Sequence, residues 1–345
     1  MIQTIAESQF AAALLAAADP AATPDERAEM LMEIAMSLQI KPCSPQQLHD
    51  AVELYRRALA EQPQELLAVR IRSRMGTALQ SLPDGGTLAL EHARDCYEKA
   101  IPVLSERGKP TEAAEAELNL GLAIQALCAV GAGRIQDAIQ CYHRALRVFG
   151  REEHPQEFAI LHNNLAVAYL AIPASDERAR MREALAVQSF EEVLEVVNLI
   201  DHPSEYAMIQ NNLGNALQYA ASGHALENNL RALAAYDEAL KVRNARDTPV
   251  EYANTIANKA NVLRSLPCDA DWGAARDAKT EALALYAEAR DVFQRNGLSD
   301  RAGLMEEAIA EVQHGVHAHN GNGLSDGVNG IADDHESSAI TTRLT

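Results

Sequence analysis

The segment from Pro155-Gln156-Glu157 through Asn163-Asn164-Leu165-Ala166 has features that recur along the chain, and this recurrence predicts the fold. A Pro-x-Glu tripeptide occurs six times, at intervals of 39 to 48 residues, starting at Pro24, Pro63, Pro110, Pro155, Pro203 and Pro249. Proline is favoured at the first position of a helix, and a Glu two residues later lies where the helix dipole stabilises negative charge. Each tripeptide therefore predicts the start of a helix.

A small residue follows each tripeptide at a nearly constant distance. It lies eleven residues after the proline in five units and two residues later in the second unit, and the set is Ala35, Gly76, Gly121, Ala166, Gly214 and Ala260. A small side chain lets a neighbouring helix approach closely. We therefore expect a helix contact at this position in every unit.

A second pattern, Ala-x-x-x-aromatic-x-x-small, completes each unit. Its aromatic residues are Tyr55, Tyr97, Tyr142, Phe190, Tyr236 and Tyr286. Offsets of four and seven residues lie on one face of an α-helix, so this pattern predicts a second amphipathic helix that buries an alanine and aromatic stripe. A pair of such helices cannot bury both faces alone, but stacked pairs can.

The sequence thus predicts an all-α, right-handed superhelical solenoid of about six helical hairpins. Hydrophobic residues make up 48% of the chain and aromatic residues only 4%, a composition that disfavours an all-β fold. We expect an N-terminal capping helix in residues 1–22, the repeat array in residues 23–297 and a C-terminal capping helix in residues 298–313. Residues 314–345 are rich in Gly, Asn and His and are predicted to be disordered.

These two helical patterns resemble the tetratricopeptide repeat family. The small residue of the first helix and the Ala-x-x-x-Tyr-x-x-Ala-Leu pattern of the second helix match its consensus positions. The repeats of 45 residues and more are similar to the long-repeat members, since His154-Pro155 followed by Asn163-Asn164-Leu165-Ala166 resembles kinesin light chains. His202-Pro203 with Asn211-Asn212-Leu213-Gly214 resembles the bacterial arrays attached to CHAT-type protease domains.

The resemblance implies a concave groove lined by the first helices, in which asparagine is frequent. An Asn side chain has two donors and an acceptor, so it can pair with the backbone of an extended peptide. The predicted partner-binding residues are Asn163, Asn211, Asn215, Asn254, Asn261, Arg264 and Arg70. A row at one shared position could instead form a structural ladder of mutual hydrogen bonds, and its members are Asn119, Asn164, Asn212 and Asn258.

Charge and cysteine content restrict the classes of partner and the compartment. The formal net charge of −19 disfavours nucleic acid and anionic membrane surfaces. The five cysteines include no Cys-x-x-Cys pair, which favours a reducing cytoplasm over a disulfide framework or a zinc knuckle. No apolar stretch approaches the roughly 20 residues that a transmembrane helix requires.

No enzyme motif is present in the sequence: there is no Walker loop, GxGxxG, HExxH or GxSxG. The sequence predicts a non-enzymatic adaptor without a cofactor that holds a protein or peptide partner in the groove. The alternative is an accessory factor for assembly of a metalloenzyme, with a tail that handles metal. In that alternative, His314, His317 and His319 are weak candidate ligands, because flexible imidazoles can converge on a borderline metal ion.

Overall fold

The computed structural model describes residue 11 and residues 21–40, 42–172, 178–220, 224–266 and 274–314. All the regular structure in these residues is helical. The chain divides into two compact units, Met1–His154 and Pro155–Thr345, and each unit is described separately below. In each hairpin, the helix that comes first in the chain is called the first helix and its partner the second helix.

The first unit contains three hairpins. Their helices are α1 (Pro24–Ile40) with α2 (Pro45–Ala60), α3 (Glu65–Gln80) with α4 (Gly86–Arg107), and α5 (Pro110–Ala129) with α6 (Ile135–Ala145). Each second helix of the first two hairpins also packs against the first helix of the next hairpin, and consecutive first helices are in contact. This continuous stack buries the apolar faces that a single hairpin would leave exposed.

The second unit repeats this arrangement. Its helices are α7 (Pro155–Leu170) with α8 (Arg178–Leu194), α9 (Pro203–Tyr219) with α10 (Ala225–Ala239), and α11 (Pro249–Ser265) with α12 (Ala274–Arg295). A final helix, α13 (Ser299–His314), packs on α12 and contributes the buried Ala302, Met305 and Ala308. The all-α class of stacked helical hairpins expected from the sequence is therefore confirmed within each unit.

Helix starts follow the Pro-x-Glu tripeptides except in the second hairpin. At the start of α1, the Thr23 backbone N–H donates to Glu26 Oε2 at 2.7 Å, and the Glu26 N–H donates to Thr23 Oγ1 at 3.3 Å, which forms a capping box. The prediction was wrong for Pro63, because α3 begins only at Glu65. Gln62 has a φ of 56° and Gln64 is extended, so the backbone turns before the helix begins.

The aromatic stripe of the second helices is the centre of the core. All six aromatic residues of the repeated pattern have 0% exposure. A Cβ atom added to Gly76, Gly121 or Gly214 would lie 2.4 to 2.7 Å from the ring of the tyrosine in the same hairpin. The close approach expected at the small position is therefore a contact between the first-helix backbone and the aromatic ring of the second helix.

Candidate functional site

The hydroxyl groups of the buried tyrosines bind to amides on the first helices. Tyr97 donates to Gln80 Oε1 at 2.7 Å and Tyr142 donates to Gln125 Oε1 at 2.8 Å. The glutamine lies four residues after the small residue in both hairpins. Equivalent bonds join Tyr55 to Gln39 at 2.9 Å and Tyr236 to Gln218 at 3.3 Å.

One hairpin lacks both members of this pair. In the hairpin of α7 and α8, the aromatic residue is Phe190, which has no hydroxyl group, and the glutamine position is occupied by Leu170. The two substitutions occur together, so no tyrosine hydroxyl is left without an acceptor at this position. The glutamine position therefore forms part of the packing in the four hairpins that carry a glutamine there.

Five of the seven predicted partner-binding residues also have partners within the chain. Asn215 Oδ1 accepts from the Tyr236 hydroxyl at 2.8 Å, and Asn261 Oδ1 accepts from the Tyr286 hydroxyl at 2.6 Å. Asn254 Oδ1 accepts from Arg301 Nη1 at 3.0 Å, which ties α11 to α13. The two predicted arginines form ion pairs, Arg70 with Glu112 and Arg264 with Glu311, both at 2.9 Å.

The remaining two predicted residues, Asn163 and Asn211, differ from these five. They occupy the same position on α7 and α9, three residues before the small residue, and their exposures are 1% and 0%. Their Nδ2 and Oδ1 atoms have no hydrogen-bond partner among the described residues. A buried amide without a partner costs about 1 to 3 kcal/mol, so these two side chains oppose folding unless something pairs with them.

Two of the four asparagines that could form a structural ladder are also buried with an unpaired amide donor. Asn164 and Asn258 are each 1% exposed, and their Nδ2 atoms have no partner among the described residues. Asn119 and Asn212 are half-buried, and the Asn119 backbone carbonyl accepts from Gln80 Nε2 at 3.2 Å. The Nδ2 donors of Asn164 and Asn258 therefore do not take part in a ladder within the described chain.

The first unit pairs its buried charge internally. Glu117 on α5 is 8% exposed and accepts two bonds from Arg144 on α6, at 2.6 and 2.8 Å. Arg144 also donates to Cys141 Sγ at 3.1 Å.

Burial raises the pKa of the Cys141 thiol to about 12 and that of Cys96 to about 11. Both cysteines are therefore protonated, as expected for the shared packing role that their equivalent positions suggest.

A small open cleft lies at one edge of the second unit. It is formed by the start of α7 and the loop that follows α8, and Pro155, Ala159, Val197, Asn198, Asp201 and His202 are among its lining residues. The buried Nδ1 atom of His202 has no hydrogen-bond partner among the described residues. In the sequence, His202 only precedes the helix start at Pro203, so the cleft could not be predicted from it.

The part of the chain that the structure describes contains no group of three or more His, Cys, Asp or Glu side chains arranged to hold a metal ion. His314 is exposed at the end of α13, whereas His317 and His319 lie outside the described residues. None of the helices described is long and apolar enough to cross a membrane.

The sequence contained a signal that would have identified the paired residues. Gln39, Gln80, Gln125 and Gln218 occur with tyrosine, and Leu170 occurs with phenylalanine, so the two positions vary together in five of the six hairpins; the exception is Arg264, where Tyr286 donates to Asn261 instead. Such variation indicates contact. The unpaired amides of Asn163 and Asn211 gave no comparable signal, because their isolation depends on three-dimensional packing.

Comparisons with known proteins yield only remote structural likenesses. No protein-family model matches the chain, and no curated protein matches it. The apo form of RapI has 12% identity and a TM-score of 0.49, with 83% of this chain and 97% of RapI covered. BtubC from P. vanneervenii has 17% identity and a TM-score of 0.41, with coverages of 84% and 96%. The yeast Sti1 TPR2AB domain, in a complex with pHSP90, has 15% identity and a TM-score of 0.29, with coverages of 83% and 98%.

Proposed function

We propose that the protein is a non-enzymatic adaptor that binds an extended segment of a partner protein along the first helices of the second unit. The observation that carries this proposal is the pair of equivalent amides of Asn163 and Asn211, buried without hydrogen-bond partners among the described residues. The two groups are on α7 and α9, which belong to successive hairpins of one stack.

The chemistry of these groups suits a peptide backbone. Each amide presents two N–H donors and a carbonyl acceptor, which are complementary to the C=O and N–H groups of an extended chain. Pairing with backbone groups binds many sequences, while side-chain pockets supply selectivity. Asn164 and Asn258 lie two residues before the small residue of α7 and α11. Their unpaired Nδ2 atoms add further hydrogen-bond donors on these first helices.

The burial of these amides determines how binding would proceed. Because Asn163 and Asn211 are covered, a partner has to displace the side chains above them before it can pair with them. The unpaired state costs about 1 to 3 kcal/mol per amide, and this cost is recovered when the partner supplies hydrogen bonds. The other predicted residues of the second unit are held by internal partners, and we assign them the secondary role of shaping the surface beside the amides; they are Asn215, Asn254, Asn261 and Arg264. Arg70 belongs to the first unit and is paired with Glu112.

The test is to replace both unpaired amides by leucine. Leucine has the same number of side-chain heavy atoms as asparagine and no group that needs a hydrogen bond. N163L/N211L should therefore be more stable than the unmodified chain, by about 1 to 3 kcal/mol per site. The same variant should lose the partner, as measured by affinity purification from the source cells with mass spectrometry of the bound proteins.

A matched control uses an asparagine that has a partner. Asn254→Leu removes the acceptor of Arg301 and should destabilise the contact of α11 with α13, by about 1 to 3 kcal/mol for a bond to a charged group. A protein that binds the unmodified chain and N163L/N211L equally well would contradict the proposal. Destabilisation by N163L/N211L would contradict it as well, since the amides would then be making favourable contacts.

A further inference from the structure

Three loops of the chain, each leading from a second helix to the next first helix, share one backbone conformation. They cover residues 146–154, 194–202 and 240–248. The N–H groups of Phe149, Val197 and Arg243 donate to the carbonyl four residues earlier, at 3.0, 2.8 and 3.0 Å. The N–H groups of His154, His202 and Thr248 do the same, at 2.9, 3.1 and 3.1 Å. Phe149, Val197 and Arg243 are therefore equivalent, as are His154, His202 and Thr248.

Two of these loops fill the equivalent position with a long side chain. Phe149 is 3% exposed, and its ring lies edge-on to His154, with the ring centroids 5.1 Å apart. Arg243 is also 3% exposed and donates to Thr255 Oγ1 at 2.9 Å. The third loop has the shorter Val197, and there the structure has an open cleft beside His202, the equivalent of His154.

We propose that this cleft, defined by Pro155, Ala159, Val197, Asn198, Asp201 and His202, binds one aromatic side chain of a partner protein. The chain itself shows the fit, because the Phe149 ring packs against the equivalent histidine. The Nδ1 atom of His202 is buried and has no hydrogen-bond partner among the described residues, so a ring that enters the cleft breaks no hydrogen bond between this atom and those residues. A ring in the cleft restores the edge-on aromatic contact, a favoured geometry for such pairs.

The negative charge of the cleft and of the chain segment that contains it indicates which residue lies next to the aromatic residue in the partner. Asp201 lines the cleft and is exposed. No lysine or arginine occurs between Arg182 and Arg231. The carboxylate residues in that interval are Glu183, Glu191, Glu192, Glu195, Asp201, Glu205 and Glu227. The partner segment therefore carries a lysine or arginine next to the aromatic residue, since opposite charges favour encounter and orientation.

This proposal does not rest on the adaptor function. The cleft is at the start of α7 and in the loop after α8, whereas Asn163 and Asn211 are not among its lining residues. A peptide could bind the cleft even if the amides played no part in binding. The two proposals can therefore fail separately.

The test is titration of the full chain with the probe N-acetyl-Phe-Lys-amide, followed by NMR of the His202 ring and the Val197 methyl groups. Saturable shifts at both residues are expected. N-acetyl-Ala-Lys-amide should give none, and N-acetyl-Phe-Ala-amide should bind about five-fold more weakly, the factor that one ion pair in water provides. Absence of saturable shifts with the first probe would overturn the proposal, and equal binding of N-acetyl-Leu-Lys-amide would refute the aromatic preference.

Two variants link the shifts to the cleft. V197F places in the second unit the side chain that the first unit carries at position 149, so it should fill the cleft and abolish the shifts while the chain remains folded. F149V should open the equivalent space, so that the probe causes new shifts at His154. Unchanged shifts in V197F, or shifts at His202 that arise from self-association without peptide, would overturn the proposal. If V197F does not fold, the appearance or absence of the His154 shifts in F149V decides the question.

Discussion

The two units share one plan of stacked hairpins but treat their buried polar groups differently. In the first unit, Glu117 is bound twice by Arg144, and Tyr97 and Tyr142 donate to glutamines. Every buried side-chain polar atom that lacks a hydrogen-bond partner, among the residues described, belongs to the second unit. Since unpaired buried amides lower stability, their concentration in one unit is the difference on which the proposed partner binding rests.

The loops that follow the second helices also differ between the two units. The first unit fills the equivalent loop position with Phe149, whereas the second unit has Val197 there and an open cleft next to it. Two independent features, the unpaired amides and the cleft, therefore occur in the second unit. The adaptor proposal rests on the first of these features, and the proposal of an aromatic-binding cleft rests on the second.

The strongest test of this comparison is to give the first unit the feature of the second. Leu118 on α5 is 6% exposed and occupies the position of Asn163 and Asn211. Leu118→Asn should destabilise the first unit by about 2 to 5 kcal/mol, because it removes apolar burial and introduces an unpaired amide. Hydrogen exchange of the α5 amides measures this locally, which suits a repeat array whose unfolding need not be two-state.

Leu118→Ala is the control for lost burial. Alanine leaves a cavity that asparagine, with as many side-chain heavy atoms as leucine, does not, so a cost of Leu118→Asn equal to or above that of Leu118→Ala means that the buried amide itself opposes folding. A cost of Leu118→Asn below about 1 kcal/mol would mean that this position tolerates an amide. Asn163 and Asn211 would then need no functional explanation, and the distinction between the two units would lose its energetic basis.

The fold could be predicted from the sequence because the signals that specify it are local and repeated. Pro-x-Glu marks helix starts through position and charge, and the aromatic stripe marks the buried face through its spacing. Pro63 shows where such local reasoning fails, since the backbone turn at Gln62 delays α3 until Glu65. The residue at which α3 begins depends on the backbone path after α2, and the tripeptide carries no information about that path.

The candidate site was less predictable, because asparagines that all lie on first helices have different surroundings in the structure. Asn261 and Asn211 both lie on first helices, yet Asn261 accepts from Tyr286 whereas Asn211 has no partner among the described residues. Sequence pattern alone placed both in a groove. The distinction depends on which side chain of a neighbouring helix reaches each amide, and that is a property of the packed structure.

A smaller effect is expected from the tyrosine and glutamine pairs, which occur in all three hairpins of the first unit and in one hairpin of the second. Tyr142→Phe removes the bond to Gln125 and leaves the glutamine carbonyl unpaired, at a cost of about 0.5 to 1.5 kcal/mol. Adding Gln125→Leu reproduces the combination of Phe190 and Leu170 and should recover part of that loss. A double-mutant cycle measured by hydrogen exchange in α5 and α6 gives the coupling energy, and additive effects would show that the bond contributes nothing.

The smallest effect is expected when the exchange is made in the opposite direction, in the second unit. Phe190→Tyr adds a hydroxyl group where the position of its acceptor holds Leu170, which is 39% exposed. Because water can reach that end of α7, the cost should fall at or below the lower end of the usual 1 to 3 kcal/mol for an unpaired buried group. Leu170→Gln in the same chain should cancel it by supplying the acceptor found in the first unit. If the double variant is less stable than Phe190→Tyr alone, then the α7 and α8 hairpin does not share the geometry of the other hairpins. The units would in that case differ in backbone packing, and not only in the side chains placed on a common framework.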